Sequence, residues 1–270
     1  QTILDAADNL IAVNSDRIDR KLFSDNGTGV PIVVNEGYDE REEAQLVLKE
    51  ISELTRNGDA ARNKYQLADI AVMYRVNAQS RVLEEECVRY GIPYQIIGGQ
   101  KFWNRQEVKD VIAYLRLVAN PRDEVSLNRI INVPARGIGR RTMDGVARMA
   151  HDLGVSQYDA VQQILHDNDQ SSFVVNKYFA PRAIKALKGF ITMVDGLQMD
   201  AEKFTLVDFI EAVMERSGYR TFLTSDAERG EERIENISQL KIAAAATEYQ
   251  DLGLADGLTK FLEKASLYSD

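Results

Sequence analysis

Two adjacent glycines, Gly98 and Gly99, separate two parts of this 270-residue chain that differ in the spacing of their apolar residues. Before the glycines, short β-branched or apolar runs alternate with segments of helical period, an order typical of an α/β layer with parallel strands. After them, almost every segment has helical period alone. The sequence therefore predicts an α/β part that ends near Gly99 and a larger, all-α part that follows it.

The first part contains segments of both periods. Helices are predicted at residues 2–14, 39–55 and 80–90, and strands at residues 30–34, 68–74 and 94–97. The run at 68–74 is almost continuously apolar, as expected of a buried parallel strand. The helices predicted in the second part lie at residues 108–118, 125–131, 142–153, 158–165, 181–197, 206–217, 231–246 and 258–265.

Residues 128–150 carry five arginines against one aspartate, a net charge of +4 in a chain whose formal net charge is -9. Within them, Gly137, Ile138 and Gly139 resemble the hairpin of a helix-hairpin-helix element. Glycine lacks a Cβ and allows positive φ, so this turn can bring backbone N–H groups close to an anion. The helix predicted next would add its dipole and its free amides to the same site.

The residues predicted to grip the phosphate backbone of a duplex belong to this turn or flank it. They are Arg136, Gly137, Ile138, Gly139, Arg140, Arg141 and Thr142. Contacts of this kind position a protein without reading bases, so the predicted binding is independent of sequence and sensitive to salt. The alternative is a plain tight turn between two helices, with solvated arginines.

Arg75 and Asn77 follow the predicted buried strand, at the end of a strand where α/β sheets bind ligands. Arg75 can hold a phosphate, and Asn77 can donate to a sugar or a base edge. The competing interpretation is that Asn77 or Ser80 only caps the next helix while Arg75 is solvated. Phe102 and Trp103, beside basic residues, could stack bases. At a domain junction, however, we expect them to pack the hinge.

Several other kinds of site find no support in the residues. The chain has no Gly-Lys pair, hence no P-loop, and no Ser/His/Asp or Cys/His set that indicates catalysis. His151 and His166 have no clustered partners, so no metal site is predicted. Cys87 is the only cysteine, which excludes an intrachain disulfide and suits a cytosolic compartment. No apolar run is long enough to cross a bilayer.

Seven stretches, taken in order, resemble the motifs of one protein family. They are residues 69–85, 92–99, 102–110, 113–117, 131–139, 217–220 and 233–236. Together they resemble the PcrA/UvrD/Rep group of superfamily 1 DNA helicases, and its PcrA-type members most of all. The resemblance extends over essentially the whole chain and is far more specific than any single motif.

The resemblance implies a partial RecA-like motor domain, 2A, at residues 1–98, and a helical 2B domain at residues 99–265. Residues 266–270 would begin the return to 2A. In such helicases the glycine hairpin of 2B touches the backbone of the duplex ahead of the fork. The arginine and asparagine after the 2A strand touch the translocating single strand, and these are Arg75 and Asn77 here. Gly98 and Gly99 would serve as the swivel of 2B.

The implied parent is an ATP-dependent 3′-to-5′ DNA helicase, acting in DNA repair or replication in the cytoplasm. The motifs for ATP and Mg²⁺ are missing from this chain, so we expect these ligands elsewhere in the parent, and neither cofactor nor activity in the chain alone. Its expected partners are duplex and single-stranded DNA and, through 2B, other proteins.

Two alternatives stay open. Residues 200–270 hold 15 acidic and 8 basic side chains, so the helical part could be a catalytically silent module that binds proteins through an acidic face. The chain could also belong to a helicase–nuclease of recombination.

Overall fold

The computed structural model describes residues 1–15, 22–55, 65–166 and 172–269. These residues fall into two compact units, 1–70 and 71–270. The division near residue 70 differs from the domain boundary predicted near Gly99, and that boundary stays a prediction.

The first unit contains two α-helices among its described residues. Helix α1 (Thr2–Ile11) and helix α2 (Glu40–Thr55) lie where the helical period predicts them. Helix α2 buries Ala44, Leu48 and Ile51, which a repeat of 3.6 residues per turn places on one face.

The α/β half of the predicted fold class is not confirmed. Residues 30–34, 68–74 and 94–97 were expected to be strands, but they form no β-ladder in the described parts of the chain. A strand is stable only when its backbone N–H and C=O groups pair with a neighbouring strand. Val34 and Met73 are almost fully exposed, so these runs lack such a neighbour among the described residues.

The second unit is helical throughout its regular parts. Its helices are α3 (Ser80–Tyr90), α4 (Gln106–Ala119), α5 (Glu124–Ile130), α6 (Arg140–Leu153), α7 (Gln157–His166), α8 (Ser172–Tyr178), α9 (Pro181–Asp200), α10 (Leu206–Arg216), α11 (Tyr219–Thr224), α12 (Gly230–Ala244), α13 (Thr247–Gln250) and α14 (Leu254–Ser269). Every helix predicted in this part is present. Helices α8, α11 and α13, of seven, six and four residues, were missed, because so short a helix shows little periodicity. Helix α5 is also seven residues long but was predicted.

Local sequence explains several helix ends. Helix α3 stops at Gly91 and helix α6 at Gly154, both in the left-handed conformation, with φ of 65° and 66°, which glycine adopts without strain. Helix α5 begins at Asp123, whose carboxylate accepts a hydrogen bond from the backbone N–H of Ser126 at 3.0 Å. That bond satisfies one of the free amides of the first turn.

Helix α4 lies at the centre of the hydrophobic core of the second unit and packs against α5, α9, α10, α12 and α14. Its residues Val108, Val111 and Leu115 are fully buried, and burial of such a side chain stabilises the fold by about 1.5–3 kcal/mol. Ile138, in the segment that precedes α6, belongs to the same core.

Candidate nucleic-acid interface

The glycine hairpin lies between helices α5 and α6 and is held from inside by two side chains. Ile138 is 2% exposed and packs into the core. The Asn132 side-chain oxygen accepts hydrogen bonds from the backbone N–H groups of Arg136, at 2.8 Å, and Ile138, at 3.1 Å. Gly137 has a φ of 78°, a conformation that favours glycine. The backbone of the hairpin therefore has a fixed conformation before any ligand binds.

The side chain of Arg136 points inward and fastens the hairpin to the core. Its Nη1 donates to the carbonyls of Ile130, at 3.1 Å, and Pro134, at 3.2 Å. Its Nη2 donates to the hydroxyl of Tyr114, at 2.7 Å, and to the carbonyl of Ser217, at 2.9 Å. Burial raises the pKa of Tyr114, and the charge of Arg136 opposes that rise. Arg136 thus shapes the hairpin from below.

The outer side of the hairpin presents free donors and two free cations. Arg140 and Arg141 are exposed, and their guanidinium groups have no ion pair or hydrogen bond with any described residue. Within the described chain, the backbone N–H groups of Gly137, Gly139, Arg140 and Arg141 are likewise without acceptors, whereas that of Thr142 donates to the Gly139 carbonyl at 2.9 Å. Free amides beside cations at a helix start form a ready anion site.

Gly139 is a glycine that the fold itself does not require. Its φ of -89° and ψ of 179° are open to any residue, and a Cβ there would meet no heavy atom within 4 Å. A Cβ at this position would project into open space. A glycine at this place keeps the backbone accessible to a close-approaching ligand.

The loop of Arg75 and Asn77 precedes helix α3. The Gln79 side-chain oxygen accepts hydrogen bonds from the backbone N–H groups of Arg75, at 3.0 Å, and Val76, at 3.1 Å, which fixes the loop conformation. Arg75 is exposed. Asn77 is also exposed, and its Nδ2 donates to Glu232 Oε1 of helix α12 at 2.6 Å.

A cleft of about 910 Å³ opens beside this loop. Arg75 lines it together with four carboxylates, Asp226, Glu231, Glu232 and Glu235. Four negative charges against one positive charge make the cleft unsuitable for a phosphate.

Buried Arg105 supports the same loop from beneath. Its Nη2 donates to the Asn77 carbonyl, at 2.9 Å, and to the Ser80 hydroxyl, at 2.8 Å. Its Nη1 donates to the Asn236 side chain at 2.6 Å. Burial lowers the pKa of Arg105, and nearby Glu84 is foremost among the charges that oppose this. Arg105 thereby joins the loop to helices α3 and α12.

The sequence over residues 1–270 matches the family model described as the UvrD-like helicase C-terminal domain. This chain belongs to the UvrD-like helicase C-terminal domain family. The resemblance to the PcrA/UvrD/Rep group is thereby confirmed.

Individual relatives agree with the family match. DNA helicase II of Escherichia coli (strain K12) is 37% identical over 250 residues, covering 92% of this chain and 33% of the relative. ATP-dependent DNA helicase UvrD1 of Mycobacterium tuberculosis (strain ATCC 25618 / H37Rv) is 37% identical over 283 residues, covering 100% and 35%. ATP-dependent DNA helicase PcrA of Staphylococcus aureus (strain NCTC 8325 / PS 47) is 35% identical over 271 residues, again covering 100% and 35%.

The UvrD-like chain therefore spans about a third of the length of these relatives. Their identities to it differ by no more than two percentage points, so they do not single out the PcrA type within the group. Among its described residues, no helix is long and apolar enough to cross a membrane, and no group of three or more His, Cys, Asp or Glu could hold a metal ion.

The glycine pair of the UvrD-like domain lies in an exposed connection. Gly98 has a φ of 78°, and a Cβ there would meet no heavy atom within 4 Å. Just beyond it, Phe102 and Trp103 are buried, as predicted for a packed junction. The Trp103 ring stacks on the Tyr268 ring of helix α14 with centroids 6.1 Å apart. Gly98 is thus free of packing, whereas a Cβ on Gly99 would lie 3.5 Å from the Ile96 side chain. The aromatic pair anchors the chain that follows.

Sequence reasoning missed the residues that position this site. Asn132 was given no role of its own, although it holds two of the turn's amides. Arg105, one of the basic residues beside Trp103, was likewise given no role of its own. The role of Arg105 depends on a partner distant in sequence, Asn236. The partners of Asn132 lie only four and six residues away, but no residue type marks them in advance.

Proposed function

We propose that this chain is the DNA-handling part of an ATP-dependent 3′-to-5′ DNA helicase that acts in DNA repair or replication. The observation that carries the proposal is the outer side of the glycine hairpin, where free backbone amides lie beside the unpaired side chains of Arg140 and Arg141. Relatives named as DNA helicases support the same ligand.

In this proposal the hairpin binds the phosphate backbone of duplex DNA. Gly137, Gly139, Arg140 and Arg141 supply amides and positive charge, and the half-buried Thr142 adds its hydroxyl at the rim. Arg136 and Ile138, the other two residues predicted as contacts, act from inside as supports. Such binding is independent of base sequence and weakens steeply as salt rises.

The loop before α3 is proposed to contact single-stranded DNA. Arg75 is free to meet a phosphate, and Asn77 can donate to a sugar or base edge. Because the Asn77 amide donates to Glu232, a nucleic acid must replace that carboxylate as its acceptor. The same contact makes the loop sensitive to the position of helix α12.

The remaining parts of the proposal concern the parent helicase. Residues 1–98 would belong to motor domain 2A, residues 99–265 to domain 2B, and residues 266–270 to the return into 2A, with Gly98 and Gly99 as the swivel. The exposed, unpacked Gly98 supports a swivel there. We further propose that the parent helicase is cytoplasmic and that it binds protein partners through 2B.

ATP and Mg²⁺ are assigned to other parts of the parent. This chain has no Gly-Lys pair from which a P-loop could be built, and its described residues offer no group of three Mg²⁺-type ligands. The residues present therefore do not fit these ligands. The chain alone is expected to show no DNA-stimulated ATP turnover, and measurable turnover would contradict that part of the proposal.

The duplex assignment is tested by replacing Arg140 and Arg141 with glutamine. Fluorescence anisotropy with a short labelled duplex should give the unaltered chain a Kd of about 10⁻⁴ to 10⁻⁶ M, as is typical of non-specific binding. The double substitution should raise Kd and reduce the salt slope by roughly 1 for each phosphate that is no longer neutralised.

The matched control replaces two exposed lysines, Lys203 and Lys260, with glutamine and so changes the net charge equally. If the hairpin assignment is right, this control binds like the unaltered chain. Equal binding by all three proteins would exclude the hairpin as the duplex site.

A further inference from the structure

A second strongly basic stretch lies on helices α8 and α9. Residues 172–194 contain Lys177, Arg182, Lys185 and Lys188 and no carboxylate, so their net charge is +4 in a chain of net charge -9. Only Lys177 has an acidic partner among the described residues, Asp152 at 3.6 Å. The other three cations form no ion pair or hydrogen bond with the residues that the structure describes.

These three cations occupy the outer face of the first half of helix α9. Arg182 and Lys185 are exposed and Lys188 is half-buried, whereas Leu187 and Phe190 are fully buried. The helical repeat separates the two sets, because residues 182, 185 and 188 recur at steps of three on the face opposite Phe190. The cations are therefore displayed to solvent on a rigid element.

Two contacts place this half of helix α9 alongside the glycine hairpin and the start of α6. At one end, the Arg136 guanidinium lies over the Phe190 ring, 5.5 Å from its centroid. At the other end, Phe179 packs so closely on Gly145 that a Cβ there would be 2.8 Å from the ring.

Arg140 and Arg141 lie in sequence between the hairpin contact and the Gly145 contact. The cations of helix α9 lie in sequence between Phe179 and Phe190, which are the residues that contact Gly145 and Arg136. The two basic stretches are thus bracketed by the same pair of contacts.

We propose that Arg182, Lys185 and Lys188 form a second row of phosphate contacts that extends the duplex site beyond the hairpin. This inference rests on the proposed duplex binding by the hairpin. The three residues span about 9 Å of helix axis, and B-DNA presents one negative charge per roughly 1.7 Å of its axis. The three cations are therefore spaced closely enough to face several phosphates of one duplex at once.

Continuity with the hairpin surface favours duplex DNA over an acidic protein as the ligand of this row. If the ligand were an acidic protein, the cations of helix α9 would form a binding surface separate from the hairpin. The contacts Arg136–Phe190 and Gly145–Phe179 instead connect helix α9 to the segment that carries Arg140 and Arg141. Flexible side chains without fixed partners are suited to phosphate contacts. Such contacts position the protein on the duplex and carry no sequence information.

The test is duplex binding by R182Q/K185Q, measured by anisotropy between about 50 and 200 mM salt. We expect a Kd about ten-fold higher at the low-salt end and a salt slope reduced by roughly 2. K203Q/K260Q makes the same change in charge, and Lys203 lies about 30 Å along the axis of helix α9 from Arg182. This control should bind like the unaltered chain.

A second variant, R182K/K185R, keeps both charges and should retain duplex binding, which separates removal of charge from altered folding. If R182Q/K185Q keeps the unaltered Kd and slope while R140Q/R141Q loses affinity, the second row is wrong and the hairpin proposal stands. If the unaltered chain binds no duplex at the low-salt end, both proposals fail.

Discussion

The Nη2 group of Arg105 donates a hydrogen bond to the backbone carbonyl of Asn77 at 2.9 Å. The contact joins the loop proposed to meet single-stranded DNA to the segment that follows the glycine pair. Since Arg105 also reaches Ser80 and Asn236, one buried cation holds together three parts of the helical body.

Replacing Arg105 with methionine should destabilise the protein, because three buried or half-buried acceptors would be left without their donor. Each unsatisfied acceptor costs about 1–3 kcal/mol. The midpoint of urea unfolding should fall with little change in the m-value. The exposed Arg148, replaced with glutamine, serves as control and should stay within about 0.5 kcal/mol of the parent. A midpoint that Arg105→Met leaves unchanged would contradict the supporting role.

Two replacements of Asn132 should distinguish its effect on the stability of the hairpin from its effect on duplex binding. Asn132→Ala removes the acceptor for two backbone amides and should cost about 1–3 kcal/mol. Asn132→Asp keeps an acceptor and should fold nearly as well, but its negative charge should weaken duplex binding. Urea unfolding and duplex anisotropy measure the two effects, and an Asn132→Ala protein of parental stability would refute this account of the hairpin.

The two hairpin glycines should respond in opposite ways to alanine. Gly137→Ala places a Cβ at a φ of 78° and should cost about 1–2 kcal/mol of stability. Gly139→Ala meets neither strain nor neighbouring atoms, so its stability should be parental within about 0.5 kcal/mol. Its duplex Kd should nevertheless rise, because the methyl group keeps phosphate away from the amides. Parental duplex affinity in Gly139→Ala would argue against a backbone-gripped phosphate.

Glu84 should make stability depend on pH in an unusual direction. Burial raises the pKa of this carboxyl above its usual 4.5, although Ser80, the Phe102 amide and Tyr94 donate hydrogen bonds to it. The folded state therefore favours the protonated form. The contribution of Glu84 is fully present below pH 4.5 and declines as pH rises through the raised pKa.

Glu84→Gln cannot ionise but keeps an acceptor for the Phe102 amide. The difference in unfolding free energy between the parent and Glu84→Gln should therefore shift against the parent as pH rises above 4.5. Urea unfolding at several pH values measures this difference, and a constant difference would show that the Glu84 pKa is not raised.

The helices could be predicted from sequence because their apolar residues repeat locally. In α4, for example, Val108, Val111 and Leu115 face the core by the period alone. The predicted strand at 68–74 failed for the opposite reason. A continuous apolar run shows that a segment can pair in a sheet, but the pairing itself needs a second strand, and none lies beside Met73 among the described residues.

The candidate site was predictable in location and less so in the roles of its side chains. Glycine spacing and local charge pointed to residues 136–142, because both are properties of adjacent residues. The inward direction of Arg136 depends on Tyr114 and Ser217, which no local pattern connects to it. The basic face of α9 was missed because its link to the hairpin goes through Phe190, 54 positions after Arg136.

The stacking of Trp103 on Tyr268 brings the two ends of residues 103–268 to one place. A segment whose two ends meet closes its own loop, so it could be joined into another chain through a single connection at little entropic cost. An engineer could therefore move these residues between proteins as a cassette.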